Sequence, residues 1–593
     1  MHPKEVYQQK IAQLQVQVAA ARRKSVWLSW GRLAAFLLAA ICGYFYFHWN
    51  LPLAWSLPCL AGLGLFVYSI AQYQKNEDDL NLLKTLLDLN EKELLQATTY
   101  RSTFEDGSDF IDDQHDFAGD LDVFGPASLY QYINRTGTLS GRELLAATLR
   151  KPMAEVTAIV STQQVVQELT GKVEFRQLLT AQAILAKEGK EDKPSLLYWL
   201  DLPLEFLQQK GLHLLIWASP ALLLVSLILF MYTGNFMPAF IFLVINWAVL
   251  LWNIKKVNNQ HQWMSNKEKI LHKFAVLLKL IEKEPVGNIT LLKQQQEIAA
   301  EAGHALHRLG RISNALDQRV NVLVAIVLNS IFLYDLHTIF NLERWKVRYQ
   351  HKAVGWFDVI AQLEVWNSLA TFAFNHPQYT FPVLQESPAM LEATSLGHPL
   401  IPENECVKNH ATIGQKAQFL IITGSNMSGK STFQRSVGTN LLLAMCGAPV
   451  CAASFTCSPV RMMTSMRIKD SIAKHTSYFQ AELQRLQRII EVLQSGERVF
   501  IILDEILKGT NSEDKLSGSR SLIEHFLQYN CLGMIATHDL ELGSLETAYP
   551  AQIRNYCFES TIREDHLYFD YLIREGIARN KNATFLMKQM DII

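Results

Sequence analysis

Two long stretches without a charged side chain constrain this chain more than any other feature of its sequence. Neither 33–74 nor 211–254 contains Asp, Glu, Lys or Arg, and each exceeds forty residues. As one helix, each stretch would be about 60 Å long, whereas a bilayer core is about 30 Å thick and needs only about 20 residues. Each stretch is therefore predicted to form a hairpin of two transmembrane helices.

Turn residues and flanking charges set the predicted orientation of both hairpins. The turns are expected at His48–Pro52 and at Thr233–Asn235, and neither contains Lys or Arg. Basic residues flank the outer ends of the hairpins: Arg22, Arg23, Lys24, Arg32, Lys75, Lys210, Lys255 and Lys256. The positive-inside rule then predicts a multi-pass protein of the inner or cytoplasmic membrane, with all other parts in the cytoplasm. Buried hairpins of a soluble protein are the alternative, but soluble core helices rarely lack charge on every face.

A third apolar run bears on the fold, and the overall composition excludes some classes of function. The run 320–334 is shorter and contains Asn and Ser, so a buried core helix is predicted there. Lys plus Arg total 55 and Asp plus Glu total 56, a net charge of -1, which excludes a uniformly basic protein that coats nucleic acid. The eight cysteines form no CxxC pair, so reduced thiols are expected rather than a zinc site.

A phosphate-binding loop is predicted directly after the apolar strand pattern 417–423. The loop has the form GxxxxGK[ST] between a strand and a helix, and consists of Gly424, Ser425, Asn426, Met427, Ser428, Gly429, Lys430, Ser431 and Thr432. Glycines let backbone N–H groups approach phosphate oxygens, and the following helix N-terminus adds positive charge. Lys430 would neutralise the β- and γ-phosphates, and Ser431 would bind Mg²⁺. The sequence therefore predicts ATP and Mg²⁺ as ligands.

Two further strand ends complete the predicted site. The buried-strand pattern 498–503 ends in Asp504 and Glu505. Asp504 would hold Mg²⁺, and Glu505 would polarise the attacking water as general base. The strand 531–536 leads to His538, a sensor of the γ-phosphate or of that water. Ligands collect at the carboxyl ends of parallel strands, so an α/β P-loop ATPase domain with a parallel sheet is predicted.

These segments resemble a known family. GSNMSGKST, DEILKGTNSED and ATHDLELGSL are similar to the corresponding segments of the MutS family of mismatch-repair ATPases. The segment 474–482 resembles that family's loop ending in Ser-Thr-Phe-x-x-Glu, which implies that Ser477 reaches the nucleotide of the partner subunit in a homodimer. His398-Pro399 and the segment 406–409 resemble the entry to the ATPase domain near the adenine pocket, which implies a binding role for Val407. The segment 121–149 resembles the start of the MutS core domain.

The chain departs from the family pattern where relatives contact DNA. The mismatch-recognition and connector domains are expected to be missing, with the first hairpin in their place. The second hairpin interrupts the helical core where the family inserts its DNA-gripping clamp between two lever helices. Lys508 stands at a usual Arg position, and Leu507 and Lys515 replace family glycines.

The predicted organisation combines an all-α lever and core domain with an ATPase domain and four transmembrane helices. The predicted segments are an amphipathic N-terminal helix (1–32), the first hairpin (33–74), a charged helix with a solvated acidic linker (75–120), the first part of the core (121–210), the second hairpin (211–254), the second part of the core, with its lever helices (255–375), and the MutS-type ATPase domain (376–593).

A membrane-tethered, dimeric MutS-like ATPase is the predicted function, with closure of its ATPase domains passed on through the lever helices. One alternative is a membrane-held mismatch-repair sensor that still binds mismatched DNA. An ABC-type transporter subunit is a weaker alternative. Its LSGGQ signature should precede Asp504, whereas the only similar string, 516–519, follows it.

Overall fold

The computed structural model describes residues 2–49, 56–415, 417–467, 478–507, 511–563 and 566–579. The helices are α1 (Pro3–His48), α2 (Ser56–Thr99), α3 (Leu129–Ile133), α4 (Leu139–Arg150), α5 (Val156–Thr170), α6 (Val173–Ala186), α7 (Asp192–Asp201), α8 (Lys210–Thr233), α9 (Met237–Lys283), α10 (Thr290–Asp317), α11 (Val322–Phe332), α12 (Tyr334–Tyr349), α13 (Ala353–Asn375), α14 (Lys430–Met445), α15 (Tyr478–Gln494), α16 (Ser512–Phe526) and α17 (Leu545–Ala548). The strands are β1 (Val383–Leu384), β2 (Leu391–Leu396), β3 (Asn409–Ile413), β4 (Phe419–Gly424), β5 (Ser454–Cys457), β6 (Arg461–Ser465), β7 (Val499–Asp504), β8 (Cys531–Thr537), β9 (Ile553–Arg563) and β10 (His566–Glu575).

The chain divides into two compact units. Unit 1 comprises Met1–Arg135, Leu144–Gln177 and Trp366–Ile593. Unit 2 comprises Thr136–Glu143 and Leu178–Val365. The first unit holds the α1–α2 hairpin and the sheets, and the second holds the α8–α9 hairpin and the long helices α9 and α10.

Each charge-free stretch forms two helices, as predicted. The first is divided between α1 and α2, although its turn residues 50–52 lie outside the described residues. In the second, α8 ends where Gly234 takes a left-handed φ of 69°, a conformation that glycine adopts without a Cβ clash. Within the described residues, four helices are long and apolar enough to cross a membrane: α1, α2, α8 and α9.

The α1–α2 hairpin of unit 1 extends well beyond its apolar half. Both helices run on without a break, so the predicted boundaries at 32 and 74 fall inside them. The polar end of the hairpin is fixed by buried hydrogen bonds. Tyr7 donates to Asn375 Oδ1 over 2.6 Å, and Arg135 forms a buried ion pair with Glu93. Because these groups lie out of water and are paired, the hairpin base packs as part of the unit.

The main sheet of unit 1 has the strand order β10-β9-β4-β8-β7-β6 among the described residues. Its neighbours pair in parallel except at the β9–β10 edge, where β10 runs antiparallel. The strands β4 and β8 are buried along their whole length, as is typical of parallel strands covered on both faces. This arrangement places the ends of β4, β7 and β8 side by side. A smaller sheet has the order β1-β5-β2-β3.

The end of the acidic segment, around Asp120, is not solvated, so the prediction of a solvated linker is wrong for that part. Asp120 is only 3% exposed. Its carboxylate accepts hydrogen bonds from Thr464 Oγ1 (2.6 Å) and from the backbone N–H groups of Met466 (3.1 Å) and Arg467 (2.8 Å). Arg485 of α15 pairs with the same carboxylate at 3.3 Å. The segment therefore packs against β6 and α15, because basic and N–H donors there compensate its charge.

Unit 2 contains the predicted lever pair. The second half of α9 packs against α10, and residues of both helices are fully buried, among them Leu277, Ile281, Ala299 and Ala302. The small alanines of α10 let the two helices approach closely, and their 3–4 residue spacing places them on one face. Long paired helices, joined at 284–289, are thus present within 255–375, where lever helices were predicted; the lever role stays a prediction.

The helix α11 is not a buried core helix, and that prediction is also wrong. Its side chains at Leu323 and Val327 are 77% and 55% exposed, and Ile326 and Phe332 are exposed as well. Leu333 takes a left-handed φ of 46°, and the chain bends by 76° into α12. The apolar run is therefore an exposed helix that contacts α8 and α9.

Candidate functional site

The loop between β4 and α14 has the backbone of a phosphate-binding loop. Gly424 and Gly429 have φ values of 153° and 106°, which side chains disfavour. A Cβ on Gly424 would lie 2.8 Å from the carbonyl oxygen of Phe558, so the loop requires glycine there. The predicted strand–loop–helix order is confirmed, and the loop wraps around the N-terminus of α14.

Lys430 lies at the centre of this loop. Its side chain is buried, and Nζ donates hydrogen bonds to the carbonyl oxygens of Gly424 (2.8 Å) and Ser425 (2.9 Å). It also occupies the first turn of α14, where the helix dipole favours negative charge. Ammonium and helix N-terminus therefore converge where the sequence predicts a phosphate.

Ser431, the residue after Lys430 in α14, lies beside Asp504, the last residue of β7. Ser431 Oγ donates to Asp504 Oδ2 over 2.6 Å. The spacing is held by Gln434, whose Nε2 donates to the carbonyl oxygen of Leu503 over 2.7 Å. A hydroxyl and a carboxylate at this separation are hard oxygen donors of the kind that Mg²⁺ prefers.

Glu505 and His538 meet at the ends of β7 and β8. Glu505 has a left-handed φ of 49°, an unfavourable conformation for a non-glycine residue, and its N–H donates to Ala536 O. His538 Nε2 contacts Glu505 Oε1 and lies 2.6 Å from Asn426 Oδ1. Both partners are oxygen acceptors, so Nε2 carries the proton in this arrangement. The predicted base, the predicted sensor and the phosphate loop are thus in direct contact.

A cavity of about 400 Å³ adjoins the loop. It is lined by the predicted residues Ser425–Thr432, Val407 and Glu505, by His398 and Asn409 of the segments that resemble the entry to the ATPase domain, and by Ile401, Phe433 and Tyr571, which the sequence did not suggest. Burial lowers the pKa of His398 to about 4, so this ring is neutral at pH 7. The cavity thus combines the polar residues of the loop with apolar and aromatic side chains such as Ile401, Phe433 and Tyr571.

Tyr571 reaches the cavity through an irregular turn of β10. The register between β9 and β10 shifts between Phe569 and Ile573. Asn409 fixes this shift, because Nδ2 donates to Tyr571 O (3.0 Å) and Oδ1 accepts from Ile573 N–H (2.8 Å). Asn409 belongs to the segment that resembles the entry to the ATPase domain, whereas Tyr571 belongs to no motif and lies far away in sequence, so no local signal pointed to it.

Cys406 is a further cavity residue with unusual chemistry. The Cys451 thiol donates a hydrogen bond to it, which holds the pKa of Cys406 below its ordinary value. Cys406 is partly exposed on the cavity wall, whereas Cys451 is buried. Cys406 therefore loses its proton more readily than an ordinary cysteine does.

Several predicted positions need separate mention. Ser477 and Lys508 lie outside the described residues, so the role predicted for Ser477 stays a prediction. Glu482, which closes the segment resembling the family loop, accepts a hydrogen bond from Leu507 N–H over 2.6 Å. Leu507 itself has a left-handed φ of 59° at a position where the family has glycine. Lys515 pairs with Asp539 at 3.3 Å.

Comparison with known proteins relates this region to MutS. Residues 420–588 match the family model MutS domain V. The chain is 32% identical over 223 residues to the DNA mismatch repair protein MutS of Thermotoga petrophila, which is 37% of this chain and 27% of that protein. It is 37% identical over 169 residues to MutS of Chloroflexus aurantiacus, covering 28% of this chain and 17% of the relative. With DNA mismatch repair protein MSH6 of Arabidopsis thaliana the identity is 36% over 157 residues, 25% of this chain and 12% of the relative.

These matches cover only part of each protein. The chain spans about a quarter or less of the length of the three relatives described. The predicted relation to MutS is thus supported for the part of the chain that holds the phosphate loop, Asp504, Glu505 and His538.

Proposed function

We propose that this chain, similar to MutS proteins in its ATPase region, is a membrane-tethered ATPase that works as a homodimer. The observation that carries the proposal is the convergence of Lys430, the Ser431–Asp504 pair and the Glu505–His538 pair at one edge of a parallel sheet. Phosphoryl transfer needs positioning and charge compensation, and this arrangement offers both.

The residues divide the chemistry among them. Lys430 and the N–H groups of the loop would bind the β- and γ-phosphates of ATP. The adenine base of ATP would lie against Val407 and Tyr571. The oxygens of Ser431 and Asp504 fit Mg²⁺, which supplies compensation of phosphate charge when bound. Glu505 would accept a proton from the attacking water, and His538 would orient that water or the γ-phosphate.

Two substitutions in the full-length protein, purified in detergent, test these roles. Lys430→Ala should abolish ATP binding, because the buried ammonium opposite the phosphates is lost. Glu505→Ala should keep ATP binding but stop turnover, because only the carboxylate that accepts the proton of the attacking water is removed. Glu513→Ala, an exposed carboxylate in the first turn of α16, is the matched control and should retain both. Full ATP affinity in the Lys430 variant would contradict the assignment.

The membrane tether rests on composition and exposure. The four candidate spans present large apolar side chains to the outside, among them Trp252 and Tyr232, which are 89% and 87% exposed. Such a surface is unfavourable in water and favourable in lipid. The protein should stay in the membrane pellet after alkaline carbonate extraction. Recovery in the supernatant would overturn the tether.

Orientation has its own test. In intact cells, a cysteine introduced by Asn235→Cys in the second turn should react with a membrane-impermeant maleimide, read by mass spectrometry of that peptide. Glu513→Cys, in the ATPase region, should react only after permeabilisation. The reverse pattern would refute a cytoplasmic ATPase domain.

Dimerisation follows from the resemblance of 474–482 to a loop that reaches the partner's nucleotide. Mixing Lys430→Ala protein with Ser477→Ala protein tests it, because each mixed dimer would retain one intact composite site. Both variants alone should be inactive, and the mixture should recover part of the turnover. A mixture as inactive as its parts would exclude composite sites.

A membrane-held sensor that binds mismatched DNA is the second candidate function. The names of the relatives, which are DNA mismatch repair proteins, favour it. The measurement is ATP turnover in detergent with heteroduplex DNA and with homoduplex DNA of otherwise equal sequence. Equal turnover supports the tethered ATPase without mismatch recognition, whereas preferential stimulation by the mismatch supports the sensor.

A further inference from the structure

The helices α11 and α12 contact the second hairpin, α8–α9. These contacts show how far α11 and α12 lie from the charged ends of that hairpin, Lys210 and Lys255. Ser330 accepts from Trp247 Nε1 at Oγ (2.9 Å) and from Asn246 Nδ2 at its carbonyl oxygen (2.8 Å). Asn246 also accepts from Ser219 Oγ on α8 over 2.5 Å. Asn246 lies nine residues before Lys255, and Ser219 nine residues after Lys210. At ~1.5 Å per residue, Ser330 lies about 13 Å inside both charged ends.

The chain enters and leaves this depth on the same side. Before α11, Arg319 donates to Asn258 Oδ1 over 2.8 Å, three residues beyond Lys255. After the bend, His337 packs edge-on against Trp217 and Phe340 stacks on His213, at centroid distances of 5.0 and 4.6 Å. These contacts step along α8 back toward Lys210. The pair α11–α12 thus forms a V whose tip lies between the charged ends and the far turn of the hairpin.

Several backbone polar groups at the tip of the V have hydrogen-bond partners. Leu333 N–H donates to Asn329 O, and Asn329 Oδ1 accepts from Asp335 N–H over 3.0 Å. The carbonyl of Ser330 is taken by Asn246, and Leu333 is fully buried. A broken helix at membrane depth requires this, because hydrocarbon offers no hydrogen bonds.

The charges beside the V are paired. Asp335 and Arg319 form an ion pair at 3.3 Å, with side chains only 4% and 13% exposed. An isolated charge would oppose insertion into hydrocarbon strongly, whereas a buried pair with hydrogen-bond partners opposes it far less. Around this pair, Leu323, Ile326, Val327 and Phe332 are exposed and apolar.

We propose that α11 and the start of α12 form a re-entrant element that dips into the leaflet nearest Lys210 and Lys255, where α11 contacts lipid acyl chains. The exposed face of α11 is continuous with the apolar surface of α8 and α9, which argues for lipid rather than a protein partner as the occupant. At eleven residues, α11 is about 16 Å long and reaches about half-way across a bilayer core. The inference rests on the proposed membrane tether, since it assumes that the second hairpin is in lipid.

Site-specific photo-crosslinking in the full-length protein tests the element. A benzophenone amino acid is placed singly at position 327 on α11, at 229 on α8 and at 347 on α12, and the protein is reconstituted in phosphatidylcholine vesicles. The three native side chains, Val327, Leu229 and Val347, are 55%, 47% and 49% exposed, so exposure is matched. Position 229 reports the hairpin, and position 347 lies near the end of α12, beyond the start of α12 that is proposed to enter the leaflet.

After irradiation, lipid adducts are measured by mass spectrometry. The yield at 327 should approach that at 229 and exceed that at 347 by at least about tenfold, because apolar surface at membrane depth faces acyl chains. Adducts at 229 without adducts at 327, or protein–protein adducts at 327, would overturn the re-entrant element and leave the tether intact. No lipid adduct at 229 would overturn the second-hairpin tether, and the re-entrant element with it.

Discussion

Replacing Asp120 with Asn tests whether the acidic segment stabilises the sheet of unit 1. The carboxylate accepts three hydrogen bonds, from Thr464, Met466 and Arg467, and pairs with Arg485. Thr464 lies in β6, the edge strand of the sheet, so loss of these contacts should act on β6 first.

The magnitude follows from the contacts. A hydrogen bond to a charged group contributes about 1.5–3 kcal/mol, but adjacent bonds are not additive. The Asn side chain keeps one acceptor oxygen, but its NH₂ group faces donors that need an acceptor. The free energy that holds β6 in place should therefore fall by about 3 kcal/mol. Since 1.4 kcal/mol corresponds to a factor of ten, opening of β6 should become roughly 150-fold more frequent.

Amide hydrogen exchange followed by mass spectrometry measures this opening. Exchange of the β6 peptide should accelerate in Asp120→Asn, while the central strand β8 provides an internal reference and should change little. Asp113→Asn is the matched control, because that side chain belongs to the same acidic segment and is exposed. Equal hydrogen exchange of β6 in the two variants would refute this reasoning and favour the prediction that the acidic segment is a solvated linker.

Three further outcomes are expected from the site. Asp504→Asn should make ATP binding insensitive to Mg²⁺ removal by EDTA, measured with a fluorescent ATP analogue, because the carboxylate beside Ser431 is lost. Iodoacetamide at pH 7 should alkylate Cys406 first, since its pKa is lowered, and the buried Cys446 much more slowly, since burial raises its pKa to about 12; ATP should slow the reaction at Cys406. Leu507→Gly should relieve about 1 kcal/mol of left-handed strain but lose about 3 kcal/mol of burial, so the thermal midpoint should fall.

The predictions that agree with the structure came from local sequence patterns. The strand–loop–helix order around Gly424 to Thr432, the strands that lead to Asp504 and His538, and the paired helices in each charge-free stretch all follow from signals within about twenty residues. Such signals report how a segment behaves by itself. The geometry around Lys430 and Ser431 agrees with them, because loop and helix are contiguous in sequence.

Long-range contacts account for the errors. The acidic segment resembles a solvated linker until Arg485 and the N–H groups that follow β6 are seen beside Asp120, more than 340 residues away. Tyr571 reaches the cavity through Asn409, more than 160 residues distant. For α11, length and composition favoured a core helix, and only its packing beside α8 and α9, with one face left exposed, shows otherwise.

The same long-range contacts give unit 1 its own connection between nucleotide site and first hairpin. Arg435 of α14, the helix that begins at Lys430, donates to Asp120 O over 3.0 Å. Asp120 follows α2 by about twenty residues, and the base of α2 is fixed by the buried Glu93–Arg135 pair. A shift of α14 on nucleotide binding would therefore act on packed, paired groups, which transmit strain because close-packed interiors compress little. Under the proposed function, this connection reaches the membrane without the lever helices of unit 2.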